Sequence, residues 1–105
     1  MKIRSPKYEP RITHQTHLVL NAFIADPTKE LSGSDLMDGA GLASGTLYPI
    51  LIRLEEAKWL KSRLEDTNPV AKGRGRPPRR LYRITSVGLA RANALREEVF
   101  GALPV

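Results

Sequence analysis

Ser44, Gly45 and Thr46 stand together at the head of an apolar run, with Tyr48 and Arg53 following. If that run is a helix, its first turn offers unpaired backbone amides and the positive end of the helix dipole. The hydroxyls of Ser44 and Thr46 add donors, and Gly45 lets another backbone approach closely. Helical spacing sets Thr46, Pro49 and Arg53 on one face and Leu47, Leu51 and Leu54 on the other. Such a face suits a nucleic acid. An arginine fork matches a guanine edge, and hydroxyls and phenols bond phosphate oxygens. Read without that partner, Tyr48 is a core aromatic and Arg53 a surface residue paired with Glu56. A second group lies further on, where Arg74-Gly75-Arg76-Pro77 has the composition of an extended arginine strip. Narrow A·T minor grooves concentrate negative potential and attract such arginines. Lys72, Arg79 and Arg80 flank it, placed to neutralise phosphates.

Other chemistries find little support. The chain has no cysteine, which rules out disulfides and thiolate metal sites and favours a reducing compartment. His14 and His17 are three apart on one helical face, but no third ligand accompanies them, so surface histidines are expected and no metal. Asp35, Asp38, Glu55 and Glu56 read as helix caps and solvated faces rather than as paired catalytic carboxylates. There is no nucleophile elbow, phosphate loop or zinc signature. No catalytic residue and no cofactor is expected. No apolar run reaches the length of a membrane span and the N-terminus lacks a signal core, so a cytoplasmic protein is expected.

The charge of +6 is unevenly distributed. From Lys72 to Arg83 there are six basic residues and no acidic one, whereas Asp26 to Asp66 holds eight acidic and five basic residues. Lys2, Arg4, Lys7 and Arg11 give the N-terminus a basic arm. A basic arm and a basic loop flanking a near-neutral body form an electrostatic footprint for a polyanion.

The elements that must position these groups follow from periodicity and punctuation. One helix is expected over 13–25, with Thr16, Val19, Leu20 and Phe23 on one face and Asp26-Pro27 stopping it. Glu30-Leu31 reads as a short bridging strand. Ser32 is an N-cap with Asp35 in capping-box register, and its helix is expected to end near Asp38, broken by Gly39-Ala40-Gly41. Ser44 is a second N-cap candidate, for a helix from Gly45 to about Lys58. Pro49 lies too deep for the favoured first turn and faces the Gly45 carbonyl, which predicts a kink or a shifted cap. Trp59 is expected as a core anchor. Strands over 59–66 and 79–84 join through a loop rich in Pro and Gly, and Thr85 caps a last helix to about Gly101. Ala92, Leu95 and Val99 line one stripe of that helix with Leu89 and Phe100 beside them, and this stripe is expected to meet a second subunit. Packing on the monomer's own core is its other reading. The order is that of a winged helix-turn-helix: an α+β fold, mostly helical, with a two-stranded wing over 60–84 and a C-terminal helix over 86–101. The length fits a basic arm over 1–11 and a single domain over 12–105.

Two stretches resemble one family. Gly-Leu-Ala-Ser-Gly-Thr-Leu-Tyr-Pro-Ile-Leu-Ile-Arg-Leu-Glu from Gly41 is similar to the recognition helix of PadR regulators, the match falling on Ser44, Thr46, Leu47, Tyr48, Pro49, Leu51, Arg53, Leu54 and Glu55. Gly75-Arg76-Pro77-Pro78-Arg79-Arg80-Leu81-Tyr82-Arg83-Ile84-Thr85 is similar to the family's wing. Arg74-Gly75-Arg76-Pro77 also resembles the core of an AT-hook. The resemblance implies that Ser44, Gly45, Thr46, Tyr48 and Pro49 enter a major groove, and that two copies bind an inverted repeat of double-stranded DNA, with repression as the outcome. Some relatives hold flat small molecules at the dimer centre, and no residue pattern here points to such an effector site. The chain departs from the family at Gly33-Ser34, where many members carry Gly-Tyr, and its short C-terminal part resembles the small subgroup. The alternative is a winged-helix protein adaptor or anti-repressor, toward which Ile52 leans.

Overall fold

The computed structural model describes residues 10–65 and 77–101, with side chains to 98. Residues 1–9 of the basic arm and the loop residues Lys72, Arg74, Gly75 and Arg76 lie outside the described residues, as do the side chains of Val99 and Phe100.

Helix α1 spans His14–Ile24, and Thr13 caps it by accepting a hydrogen bond from the Thr16 amide at 3.2 Å. Its buried positions Thr16, Val19, Leu20 and Phe23 recur at three and four residues, so one stripe faces inward. Thr16 satisfies its buried hydroxyl by donating to the Arg11 carbonyl at 3.3 Å. After the helix, Asp26 closes a turn by accepting from the Thr28 amide and hydroxyl at 3.2 and 2.8 Å.

Strand β1 (Leu31–Ser32) leads directly into helix α2 (Gly33–Ala40). Ser32 and Asp35 form the reciprocal capping box: the Asp35 amide donates to Ser32 Oγ at 3.1 Å and the Ser32 amide to Asp35 Oδ2 at 3.0 Å. The helix runs past Asp38, because Gly39 stays helical and the break falls at Gly41, whose φ of 69° is the left-handed conformation glycine adopts without strain.

Helix α3 spans Ser44–Glu56 and ends in a second left-handed turn at Lys58, φ 68°. The Lys58 amide donates to the Glu55 carbonyl and the Trp59 amide to the Leu54 carbonyl, the paired bonds of a Schellman ending. Strands β2 (Leu60–Leu64) and β3 (Arg80–Ile84) pair antiparallel, and β1 joins the other edge of β3, giving the order β1-β3-β2. Register places Leu60 opposite Ile84 and Ser62 opposite Tyr82, all turned inward, and Lys61 opposite Arg83, turned outward. Leu64, which strand alternation sets on the side of Leu60 and Ser62, is 52% exposed at the strand's end. Helix α4 (Ser86–Gly101) starts against the α3–β2 turn, where Thr85 Oγ1 donates to the Lys58 carbonyl at 2.7 Å and accepts from the Gly88 amide at 3.0 Å. A Cβ at Gly88 would overlap the Trp59 carbonyl, so only glycine permits this approach.

A single core holds these elements. Val19, Leu20, Phe23, Leu36, Leu47, Leu51, Leu54, Trp59, Leu60, Tyr82, Ile84 and Ala92 are buried together. Burying each large apolar side chain contributes on the order of 1.5–3 kcal/mol. The core draws on four helices and a three-stranded antiparallel sheet, the winged-helix architecture read from the sequence.

Candidate nucleic-acid interface

The core fixes which way α3 looks. Leu47, Ile50, Leu51 and Leu54 are buried, so Ser44, Gly45, Thr46, Tyr48, Pro49, Ile52 and Arg53 stand on the exposed side. Every α3 residue expected to meet DNA therefore reaches the surface of one helix. The cap differs from expectation. Ala43, not Ser44, is the N-cap and supplies no side-chain bond, so Ser44 is the first helical residue and its hydroxyl is not spent on capping. Pro49 becomes the sixth helical residue. Lacking an N–H, it leaves the Gly45 carbonyl without the usual partner four residues on. Nothing lies within 4 Å of a Cβ built at Gly45, so no internal contact demands glycine there.

Tyr48 falls between its two readings. It is 39% exposed, and its hydroxyl lies over Gly33, where any Cβ would overlap it. The ring thus bridges the heads of α2 and α3. Gly33 is the counterpart of that bridge, a relation between distant chain positions that no helical or strand spacing announces.

The wing's base is tied to α3 by a polar relay. Arg80 Nη1 donates to Ser62 Oγ at 2.9 Å, and Ser62 Oγ donates to Glu55 Oε2 at 2.7 Å. Tyr82 lies beneath, its phenol pushed above the ordinary value by burial first and then by the charges of Tyr48 and Glu55. Arg79 is held differently from the expected free phosphate contact. Its backbone amide and guanidinium both donate to Glu65, with Nη2 at 2.9 Å, and this hydrogen bond raises its pKa. The pair is solvent-exposed, and such pairs are weak enough for a phosphate to displace the carboxylate. Arg53 is exposed and makes no ion pair with Glu56 among the described residues.

A family model described as the transcriptional regulator PadR-like family matches residues 28–94, more than half of the chain. The chain belongs to the PadR-like family of transcriptional regulators. The matched segment contains β1, α2, α3 and both wing strands, the elements that carry the exposed face and the relay. Members are DNA-binding regulators of transcription and not enzymes. Solved structures share the fold. AbfR of Staphylococcus epidermidis superimposes with a TM-score of 0.69 at 22% identity, over 89% of this chain and 56% of its own. This PadR-like chain thus spans little more than half of that protein. A PadR-like transcription factor from Bacteroides fragilis gives 0.63 at 20% identity, over 83% and 84% of the two chains. MepR of S. aureus in complex with DNA gives 0.64 at 17% identity, over 82% and 63%. A comparison with curated protein sequences gives no significant match.

The stripe expected on α4 of the PadR-like chain is partly claimed by the chain's own core. Ala92, assigned to a subunit contact, is instead 1% exposed within its own core. Leu89 and Leu95 pack partly against that core, since α4 must cover α1 to close it. His14 and His17 join no group able to hold a metal among the described residues, and no described helix is long and apolar enough to cross a membrane. A depression of about 70 Å³ lies between Glu30, Lys61, Arg63 and Arg83 on the sheet's outer face, far below the several hundred Å³ of a drug-sized site.

Proposed function

We propose that this protein is a sequence-specific double-stranded DNA-binding repressor that reads an inverted repeat as a homodimer. Ser44, Gly45, Thr46, Tyr48, Pro49 and Arg53 read the major groove in this scheme. Lys72, Arg74, Gly75 and Arg76 track the neighbouring minor groove and backbone, and Arg79 and Arg80 neutralise phosphates. The second copy docks through the α4 side of the molecule, around the outer flanks of Leu89 and Leu95 and the residues Val99 and Phe100. The reading puts the protein in the cytoplasm with its target.

The observation that carries it is Gly45. Glycine is a poorer helix former than alanine, less so in the first turn, where Gly45 stands, than in the interior. Here it is exposed, with open space around it and with hydroxyls on either side. A close approach from outside the chain accounts for that cost. MepR, a protein of the same fold whose structure is known in complex with DNA, adds support.

The test is duplex binding by fluorescence anisotropy, with a randomised pool enriched over several rounds. An enriched inverted repeat, bound at one dimer per site and blocking transcription from an adjacent promoter, supports the whole scheme. Enrichment of a single unrepeated half-site removes the dimer, and binding without repression removes the repressor role. No enrichment, with only weak binding at physiological salt, overturns operator binding and leaves the adaptor reading in its place.

A further inference from the structure

Ile52 stands out on the exposed side of α3. It is 57% exposed, the most exposed of the large apolar residues described. Successive α-helical residues are rotated by about 100°, so Gly45, Pro49 and Ile52 lie on one line, facing away from the buried Leu47, Ile50, Leu51 and Leu54. Thr46 and Arg53 border that line on one side and Tyr48 on the other. An apolar side chain in the centre of a polar, cation-flanked face calls for an apolar partner within a polar one. A protein partner would need a broad apolar patch, but of the other large exposed apolar residues Leu64 and Val87 lie on β2 and α4, and Tyr48, beside Ile52 on α3, lays its hydroxyl over Gly33. One isoleucine and a proline ring match a smaller target. In a major groove, the one apolar group on any base edge is the C5-methyl of thymine.

We infer that Ile52, with Pro49 beside it, is a specificity-determining contact that reads thymine methyl groups in the major groove. This rests on the reading of α3 as the DNA-reading helix and adds to it the base that its apolar stripe selects. Pro49 and Ile52 are three residues apart, a rise of about 4.5 Å along the helix, close to the 3.4 Å spacing of stacked base pairs. The pair therefore fits thymines at neighbouring steps. Polar residues on the flanks of the same helix read the adjacent positions.

The experiment uses the full chain and its enriched duplex, with each thymine replaced in turn by deoxyuridine, which removes only the methyl. The native protein is expected to lose about fourfold in affinity at one or two positions per half-site, the value of one methyl-sized apolar group removed from water. Ile52→Ala is expected to bind thymine and deoxyuridine duplexes equally at one of those positions. Ile52→Val, which keeps a branched methyl surface, is expected to retain most of the discrimination. Because Ile52 is exposed, both variants keep the native thermal stability, and a melting curve verifies that. Indifference of the native protein to every deoxyuridine overturns the inference, as does a methyl effect that survives unchanged in Ile52→Ala. In both of those outcomes the DNA-binding reading stands. Absence of binding to any duplex overturns that reading itself, and Ile52 would then serve a protein partner.

Discussion

Single residues here separate stability from binding. Gly45→Ala replaces a glycine in the first turn of α3 without meeting any atom of the chain, so the variant is expected to be more stable by up to about 0.5 kcal/mol, measured by urea denaturation. On the proposed reading the same change weakens operator binding, because the added methyl would occupy space through which the DNA approaches. A variant both more stable and equally tight would remove Gly45 from the interface. Lys58 makes the opposite case. Its left-handed φ of 68° serves the chain reversal into β2, and a side chain there is strained. Lys58→Gly is expected to stabilise by about 0.5–1 kcal/mol, the relief of strain being partly offset by the greater freedom of glycine in the unfolded chain, and to leave DNA affinity unchanged. At Asp35, the Ser32 amide holds the carboxyl below its ordinary value of 3.8. A depressed carboxylate binds its proton less readily when folded, so its contribution is complete above the unfolded value and declines as pH falls through the folded one. Asp35→Asn should therefore flatten the acid limb of the stability profile below about pH 4, with Ser32→Ala costing about 1 kcal/mol across the range.

At the scale of elements, α3 and the wing are joined by contacts that cross the chain. Glu55 on α3 accepts from Ser62 on β2, which accepts from Arg80 on β3. The relay makes Ser62 and Glu55 positioning residues for the wing. Glu55→Ala removes the acceptor of the relay, so it is expected to lower DNA affinity severalfold through a misplaced wing while the half-site preference proposed for α3 persists. Anisotropy against operator variants measures both. A change in base preference with unaltered affinity would contradict the relay. Much of this architecture was legible in the chain. The stripe Thr16, Val19, Leu20, Phe23, the capping box of Ser32 and Asp35, and the core role of Trp59 all follow from local spacing and residue type. The misplaced boundaries share a cause. Gly39 and Ser44 have helix-breaking and capping preferences of about 1 kcal/mol, and the packing of Leu36, Ala40 and Leu47 into the core outweighs them. The bridge from Tyr48 to Gly33 and the relay were not legible, because they depend on where α2, α3 and the sheet come together rather than on any period within one of them. Ala92 shows the same limit in α4. An apolar stripe states that a face is covered, and only the fold states that α4's own subunit covers Ala92.

For the whole molecule, charge and symmetry set how affinity responds to salt. The net charge of +6 on 105 residues is concentrated toward the arm and the wing, so the near-neutral body adds little to any polyanion contact. Each phosphate neutralised releases condensed counterions, and the logarithm of affinity falls with the logarithm of salt by about 0.9 per contact. If Arg74 and Arg76 both lie against the DNA backbone, a two-fold dimer presents four such arginines. The double variant Arg74→Ala/Arg76→Ala should then flatten the slope by about three to four while leaving the order of preference among half-sites intact. Thr46→Ala should behave in the opposite way, keeping the slope and blurring the preference, because Thr46 is exposed on the face proposed to read the groove and carries no charge. The size of the change also reports the assembly. A slope altered by only about two means one wing per complex and a monomer on a single half-site. A change near four, together with a complex mass of two 11.7 kDa chains on one duplex, establishes that both wings engage at once. An unchanged slope would show that the arginine strip does not lie on the phosphates, and the cationic side chains nearer the sheet, Arg79 and Arg80, would then have to carry the electrostatic part of binding.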